Sequence, residues 1–284
     1  MINKNGIIIV RYENEISSFM GNISELSKKY RLYVYDNSKE GLKIENESIY
    51  YFHDKDNGGL AKGINHCLNI AIEDQINYIV YFDQDSKIDI SLISNLFNSY
   101  IKYKKKYTNI LLLGPQPIMS DGGIYPIKLS QKIEDDLYLA TEIITSGMTF
   151  EPLNIKAIGG FDEDLFLDMI DFELCWRAKE EGFLVVVDRN IKMGHEVGIN
   201  TIKLPFKVLP ISSPIRNYYQ MRNVLYLALY KHKKSKLTIL YYILRRLMNI
   251  TLNLLFVDNK ILRLKYNYLA IKDAINKNMG KFKS

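Results

Sequence analysis

The chain has 284 residues, 47% of them hydrophobic, with 38 Lys and Arg against 32 Asp and Glu for a formal net charge of +6. Such a composition excludes a disordered chain, and two cysteines, Cys67 and Cys175, exclude a disulfide-stapled miniprotein. The opening MINKNGIIIVRYENE carries an apolar run too short for a secretory leader, so a reducing cytoplasm is the expected compartment.

The first half alternates strand and helix patterns. GIIIV at 6–10 is a short β-branched run, followed by helical spacing at Ile16, Phe19, Ile23 and Leu26. RLYVYD (31–36) and SIYYF (48–52) read as the next strands, and Gly58-Gly59 opens a helix with Leu60, Ile64, Leu68 and Ala71 on one face. NYIVYFD (77–83) is the fourth strand, and a helix over about 89–107 ends in a lysine run. This order predicts an α/β fold with a mostly parallel sheet covered by helices on both faces. Ligands of such sheets sit beyond the carboxyl ends of the strands, which here carry Tyr12, Asp36 and Asp83-Gln84-Asp85-Ser86.

Residues 110–150 are less regular and read as antiparallel edge strands and a hairpin. A helix at about 169–181, the strand FLVVVD and a loop from Met193 to Gly198 follow. Three helical stretches, roughly 214–231, 236–257 and 260–279, complete the chain. From Lys203 onward it holds 17 basic residues and two acids, Asp258 and Asp273, a balance of +15; the residues before hold 21 basic and 30 acidic. The contrast predicts two parts with different surroundings, the tail facing nucleic acid, anionic lipid or a phosphorylated ligand.

Two carboxylates one residue apart, Asp83 and Asp85, repel unless a cation lies between them, which points to Mg²⁺ or Mn²⁺ on a diphosphate. The same triplet also suits a turn that caps the next helix. Asp171 stands near the start of its helix, where the dipole favours an ionised carboxylate able to act as a general base, or it belongs to an ordinary acidic first turn. His195, just after a strand, becomes a third metal ligand if it faces Asp85 and is otherwise structural. Cys67 and Cys175 fall on apolar helix faces and read as packing residues.

In this order the motifs resemble family 2 glycosyltransferases of the GT-A fold, in particular the bacterial rhamnosyltransferase-like branch. They are DNS at 36–38, NGGLAKGIN at 57–65, FDQDS at 82–86, TSG at 145–147 and GGFDEDLFLD at 159–168. DFELCWR at 171–177, HEVG at 195–198 and RNYYQMRN at 216–223 continue the set, and IKDAINKNMGKF (271–282) is similar to the branch's C-terminal end. The resemblance implies a GT-A catalytic domain over 1–205 and a basic helical region over 206–284. It implies that Asp36 recognises the nucleobase beside Tyr12, that Asn65 lies near the nucleotide, and that Asp83 approaches ribose and metal. Asp85 and His195 would hold Mg²⁺ or Mn²⁺, and Asp171 would be the catalytic base. Ser146, Gly147 and Asp168 would face the sugar and acceptor, with Arg216 and Arg222 adding donors to the phosphates or forming a solvated or lipid-facing helix side. Two departures stand out: Ile170 replaces a Glu of many relatives, as is common in this branch, and the first strand reads VRYEN without the usual Thr and Asn.

The implied reaction is inverting transfer from a nucleotide-diphosphate sugar, dTDP-rhamnose or a UDP-hexose, to a saccharide acceptor, lipid-linked, in cell-surface polysaccharide synthesis. Residues 237–257 are apolar enough to suggest a span, yet Arg245 and Arg246 sit at their middle. The segment therefore reads as an interfacial helix, a helix packed on the core, or both, compatible with peripheral contact at the inner face of the cytoplasmic membrane. A nucleotidyltransferase would need a Gly-rich basic loop where YENEISSF stands. A non-catalytic nucleic-acid-binding module would use the basic tail, but the tail interleaves lysines with long aliphatic runs, so no nucleic-acid partner is expected.

Overall fold

The structure is a computed structural model that describes residues 4–86, 88–119, 122–194, 201–204, 207–232 and 236–283. His195 and the HEVG motif lie outside the described residues. The first strands are β1 (Asn5–Arg11), β2 (Arg31–Asp36), β3 (Ile49–His53) and β4 (Tyr78–Asp83). They pair in parallel in the order β3-β2-β1-β4. Between them run α1 (Ile16–Ser27) and α2 (Leu60–Glu73), and α3 (Ile90–Lys106) follows β4.

Side-chain alternation divides the apolar residues between the two faces of this sheet. Ile7, Ile9, Leu32, Val34, Val80 and Phe82 join one core with Phe19 of α1 and Leu96 of α3. Ile8, Val10, Tyr33, Tyr35, Ile79 and Tyr81 join the other with Ile64 and Leu68 of α2. These near-continuous apolar runs are what a strand buried on both faces requires.

The second half is mixed. β5 (Ile110–Ile118) is followed by the hairpin of β6 (Leu129–Glu134) and β7 (Leu137–Ala140), then by the two-residue β8 (Thr149–Phe150). After the short α4 (Pro152–Ala157) come α5 (Ile170–Glu180) and β9 (Leu184–Gly194). The full order is β3-β2-β1-β4-β8-β5-β9-β7-β6, with β8 antiparallel to both β4 and β5. β5 departs from the expected edge position: it lies inside the sheet, parallel to β9, because its run ILLLGPQP is buried at every residue. A separate ribbon joins β10 (Thr201–Leu204) to β11 (Lys207–Pro210).

The C-terminal helices are α6 (Pro214–Tyr226), extended by a π-helical turn at Leu227–Lys231, then α7 (Lys236–Phe256) and α8 (Lys260–Asn276). They are not an independent layer. Val224, Tyr226, Leu227, Ile239 and Ala274 belong to the same apolar cluster as α2 and α5. By length and composition Leu237–Phe256 is the one described helix able to cross a membrane, and little of it is buried.

Arg222 fixes this arrangement. It is fully buried, its guanidinium reaches the carbonyls of Gly280 (2.7 Å) and Leu165 (3.3 Å), and it lies over the rings of Tyr218 and Tyr219. A buried carbonyl stripped of its donor costs about 1–3 kcal/mol. Arg222→Met should therefore lower the unfolding free energy by about 3 kcal/mol, read as a reduced urea midpoint at unchanged slope.

Candidate active site

The sheet presents its polar residues where the order reverses beside β1, the position at which open α/β sheets bind ligands. Strand register sets Asp83 beside Val10 and Asp36 beside Arg11. The side chain of Gln84 then joins the two loops, accepting from the Tyr12 amide and donating to the Tyr12 carbonyl (2.9 Å). Tyr12 is 54% exposed, an aromatic face held open at the strand end.

Asp83, the last residue of β4, is half-buried, and Asp85, two residues on, is exposed. Burial pushes the Asp83 carboxyl up to about 6, with the Asp85 charge adding to the shift and the Tyr81 hydroxyl (3.1 Å) and Arg216 opposing it. Asp85 also lines a cleft of about 550 Å³ with Asn14, Ser18, Gln84, Ser86 and Asp89. The cleft walls do not include Asp171.

Asp171 sits in the first turn of α5. Burial pushes its carboxyl up to about 7; Asp83 and Asp168 raise it further, while bonds from the Phe172 amide (2.9 Å) and the Thr145 hydroxyl (3.3 Å) work against this. The charges of Asp83 and Asp168 thus reach Asp171, so carboxylates distant in sequence share one region of charge. Arg216 balances it from α6, bonding both oxygens of Asp168 at 3.0–3.1 Å within the fields of Asp83 and Asp171.

The approach to α5 is built under strain. Phe166, Asp168 and Met169 have φ of 59°, 63° and 69°, the left-handed region that non-glycine residues rarely enter. Asn223 holds them: its fully buried amide lies 2.7–2.9 Å from the carbonyls of Leu165, Leu167 and Asp168. Gly59, at φ +93°, lets the start of α2 close on the same loop, since a Cβ there would lie 2.8 Å from the Phe166 carbonyl.

Five residues expected near the ligands make bonds within the protein. Asp36 is fully buried, its oxygens accepting from Arg11 (2.7 Å), the Tyr51 hydroxyl (2.7 Å) and the Ser38 amide (2.9 Å). It holds the 36–38 turn behind Tyr12 instead of facing outward. Asn65 is committed to the backbone of Phe161 at both ends of its amide and to Glu163. Arg222 faces the protein interior. Ser146 is buried and bonds Ser86 (2.6 Å), while Gly147, at φ +80°, donates its amide to Tyr81. Both tie the β8 approach to β4. Thr145 and Asn223, inside quoted motifs, were not singled out from sequence; a threonine three residues from a strand carries no signal until α5 is folded against it.

Hard carboxylate oxygens on Asp83 and Asp85, two residues apart at the end of β4, fit a hard divalent cation. Among the described residues, no group of three His, Cys, Asp or Glu side chains is gathered as a metal site.

No family model matches the chain. It is 29% identical over 284 residues to the dTDP-rhamnosyl transferase RfbF of Shigella flexneri, covering 94% of each. Two solved structures share the fold: GalNAc-T7, in complex with UDP, GalNAc and Mn²⁺ (TM-score 0.56, 12% identity, 89% of this chain), and TarS of S. aureus (TM-score 0.54, 14% identity, 96% of this chain). It is a GT-A-fold homologue of a rhamnosyl transferase. The chain spans 57% and 48% of the length of those two glycosyltransferases.

In this glycosyltransferase homologue the raised carboxyls leave a thermodynamic signature. Both carry protons in the folded state that the unfolded chain has already released above pH 3.8, so folding stability falls as pH rises through the interval up to about 7. Asp171→Asn should remove part of that decline between pH 4 and about 7, measured by urea unfolding across the range.

Proposed function

We propose that the chain transfers rhamnose from dTDP-rhamnose, with inversion, to a hydroxyl of a lipid-linked saccharide acceptor at the cytoplasmic membrane face. The observation that carries this reading is Asp171, a carboxylate held near neutrality in the first turn of α5 and within the field of Asp83. The near-full-length relative supplies the donor class.

The chemistry follows from the residues. The acceptor oxygen bonds to the anomeric carbon as the bond from that carbon to the diphosphate oxygen breaks, and the hydroxyl proton passes to an Asp171 oxygen. A base whose pKa lies close to the working pH balances ionised fraction against proton affinity. Thr145 and the Phe172 amide fix the carboxylate's direction. Arg216 would meet the departing phosphates, since its charge already lies within the fields of Asp83 and Asp171. Tyr12 would provide a face for the base, with Asp36 and Arg11 holding the turn behind it. Mg²⁺ or Mn²⁺, held by Asp83 and Asp85, would neutralise the charge that develops on the diphosphate.

Removing a general base costs about 10²–10⁴ in rate. Asp171→Asn should lower transfer by that much and leave the affinity for dTDP, measured calorimetrically, within about twofold, because Asp171 touches only the acceptor. The donor is read by thermal shift with dTDP- and UDP-sugars, each with and without Mn²⁺. A metal-dependent shift with dTDP-rhamnose alone is expected. Near-normal turnover of the variant would remove Asp171 from the chemistry, and a shift with a UDP-hexose alone would reassign the donor.

A further inference from the structure

Helices α7 and α8 place polar residues among their most buried positions, beside half-buried Tyr242, Ile243, Ile250 and Tyr266 packed on the core. On α7 the buried positions Ile239, Arg246 and Asn253 recur every seven residues, and two of the three are polar. Its outward side carries Leu237, Leu240, Leu244, Leu247 and Leu255, exposed by 47–84%. On α8 the buried stripe is Arg263, Asn267, Ala270 and Ala274, while Ile261, Leu264, Tyr268, Ile271 and Ile275 face outward, exposed by 40–85%. A helix packed on a water-soluble core shows the opposite arrangement.

The two inward arginines have partners that set how each helix is turned about its axis. Arg246 donates to the Gln220 side chain and the Asn217 carbonyl of α6. Arg263 donates to Asn217 Oδ1 (2.6 Å) and to the carbonyls of Ser212 (2.9 Å) and Asp258 (3.0 Å). Turning the leucines of α7 inward would break the bonds of Arg246 to α6 and leave the Gln220 side chain and the Asn217 carbonyl without that donor.

Something apolar must therefore cover the outward faces. A transmembrane position for α7 is excluded by Arg246 at its centre, bound to a helix of the globular part. A second copy would set like against like, because the charges beside the exposed stripes are Arg245, Lys260, Lys265 and Lys272, with Asp258 as the exposed acid. The same row complements anionic headgroups. We propose that α7 and α8 seat this protein on an anionic membrane surface, their outward apolar residues entering the interface and their basic residues meeting lipid phosphates. The seating rests on these faces alone and is independent of the donor or acceptor.

Co-sedimentation of the full chain with vesicles tests it. Binding is expected to phosphatidylcholine–phosphatidylglycerol vesicles, to fall as salt rises, and to be much weaker to phosphatidylcholine alone. Leu240→Ser with Leu244→Ser should cut partitioning by about tenfold or more, and Lys265→Glu with Lys272→Glu should do so for anionic vesicles only. All four side chains are exposed, so the urea midpoint should stay within error and nucleotide binding should be unchanged. Equal binding to both vesicle types, or none, would overturn the proposal. So would self-association in sedimentation velocity that the leucine variants abolish, which would give the face to a second copy. A vesicle-bound chain with no nucleotide-sugar affinity would uphold the seating and reject the transfer reading.

Discussion

The structure turns on keeping several carboxylates together between the end of β4 and the start of α5. Asp83, Asp85, Asp168 and Asp171 come from two distant parts of the sequence; Asp85 makes Asp83 harder to ionise, and Asp83 and Asp168 do the same to Asp171. No fold maintains such a group for stability. Protons on Asp83 and Asp171 relieve the repulsion at low pH, and Arg216 relieves it through Asp168. A bound cation or a departing anion's counter-charge would relieve it further, which is the electrostatic condition for handling a nucleotide diphosphate.

Holding the charges in register falls to the C-terminal helices. α6 contributes Arg216 to the cleft and, two turns on, Arg222 and Asn223 to the loop that carries Asp168. That loop is in left-handed backbone at three non-glycine residues, a conformation that persists only where surroundings over-determine it. The buried pair Glu173–Arg177 adds a second clamp, with Arg177 reaching the carbonyls of Ile158 and Gly160 and His232 lying between Glu173 and Glu180. The +15 region is thus joined to the acidic half by specific bonds, and without it the loop that carries Asp168 would lose the donors that hold it.

Much of this was legible in the sequence, and the limits have a physical origin. Strand and helix positions followed from periodicity because β1, β2 and β4 are buried on both faces and show it in composition. The carboxylates stood out because acids at strand ends are costly without purpose. Roles that depend on partners did not stand out. Asp36 reads as a ligand-facing acid until Arg11, Tyr51 and Ser38 are seen to occupy it. Asn65 and Arg222 look like ligand donors for the same reason: a polar side chain in a motif is equally suited to a substrate or to backbone carbonyls, and only the fold decides. β5 was displaced from edge to interior by pairing with β9, a contact across about seventy residues that no local pattern encodes.

The apolar stretch at 237–257 shows the converse. Its composition suggested a span, its two arginines argued against one, and the helix satisfies both facts by separating them. Arg246 turns inward to α6 and Arg245 stays at the surface, so the outward leucines are free of charge along most of their length. Hydrophobicity summed over a window cannot distinguish this helix from a core helix, because the sum is the same and only the direction differs. The direction is set by where polar residues find bonds, here the glutamine and asparagine of α6. The same composition thus yields a helix whose one buried arginine faces α6 while its leucines face outward.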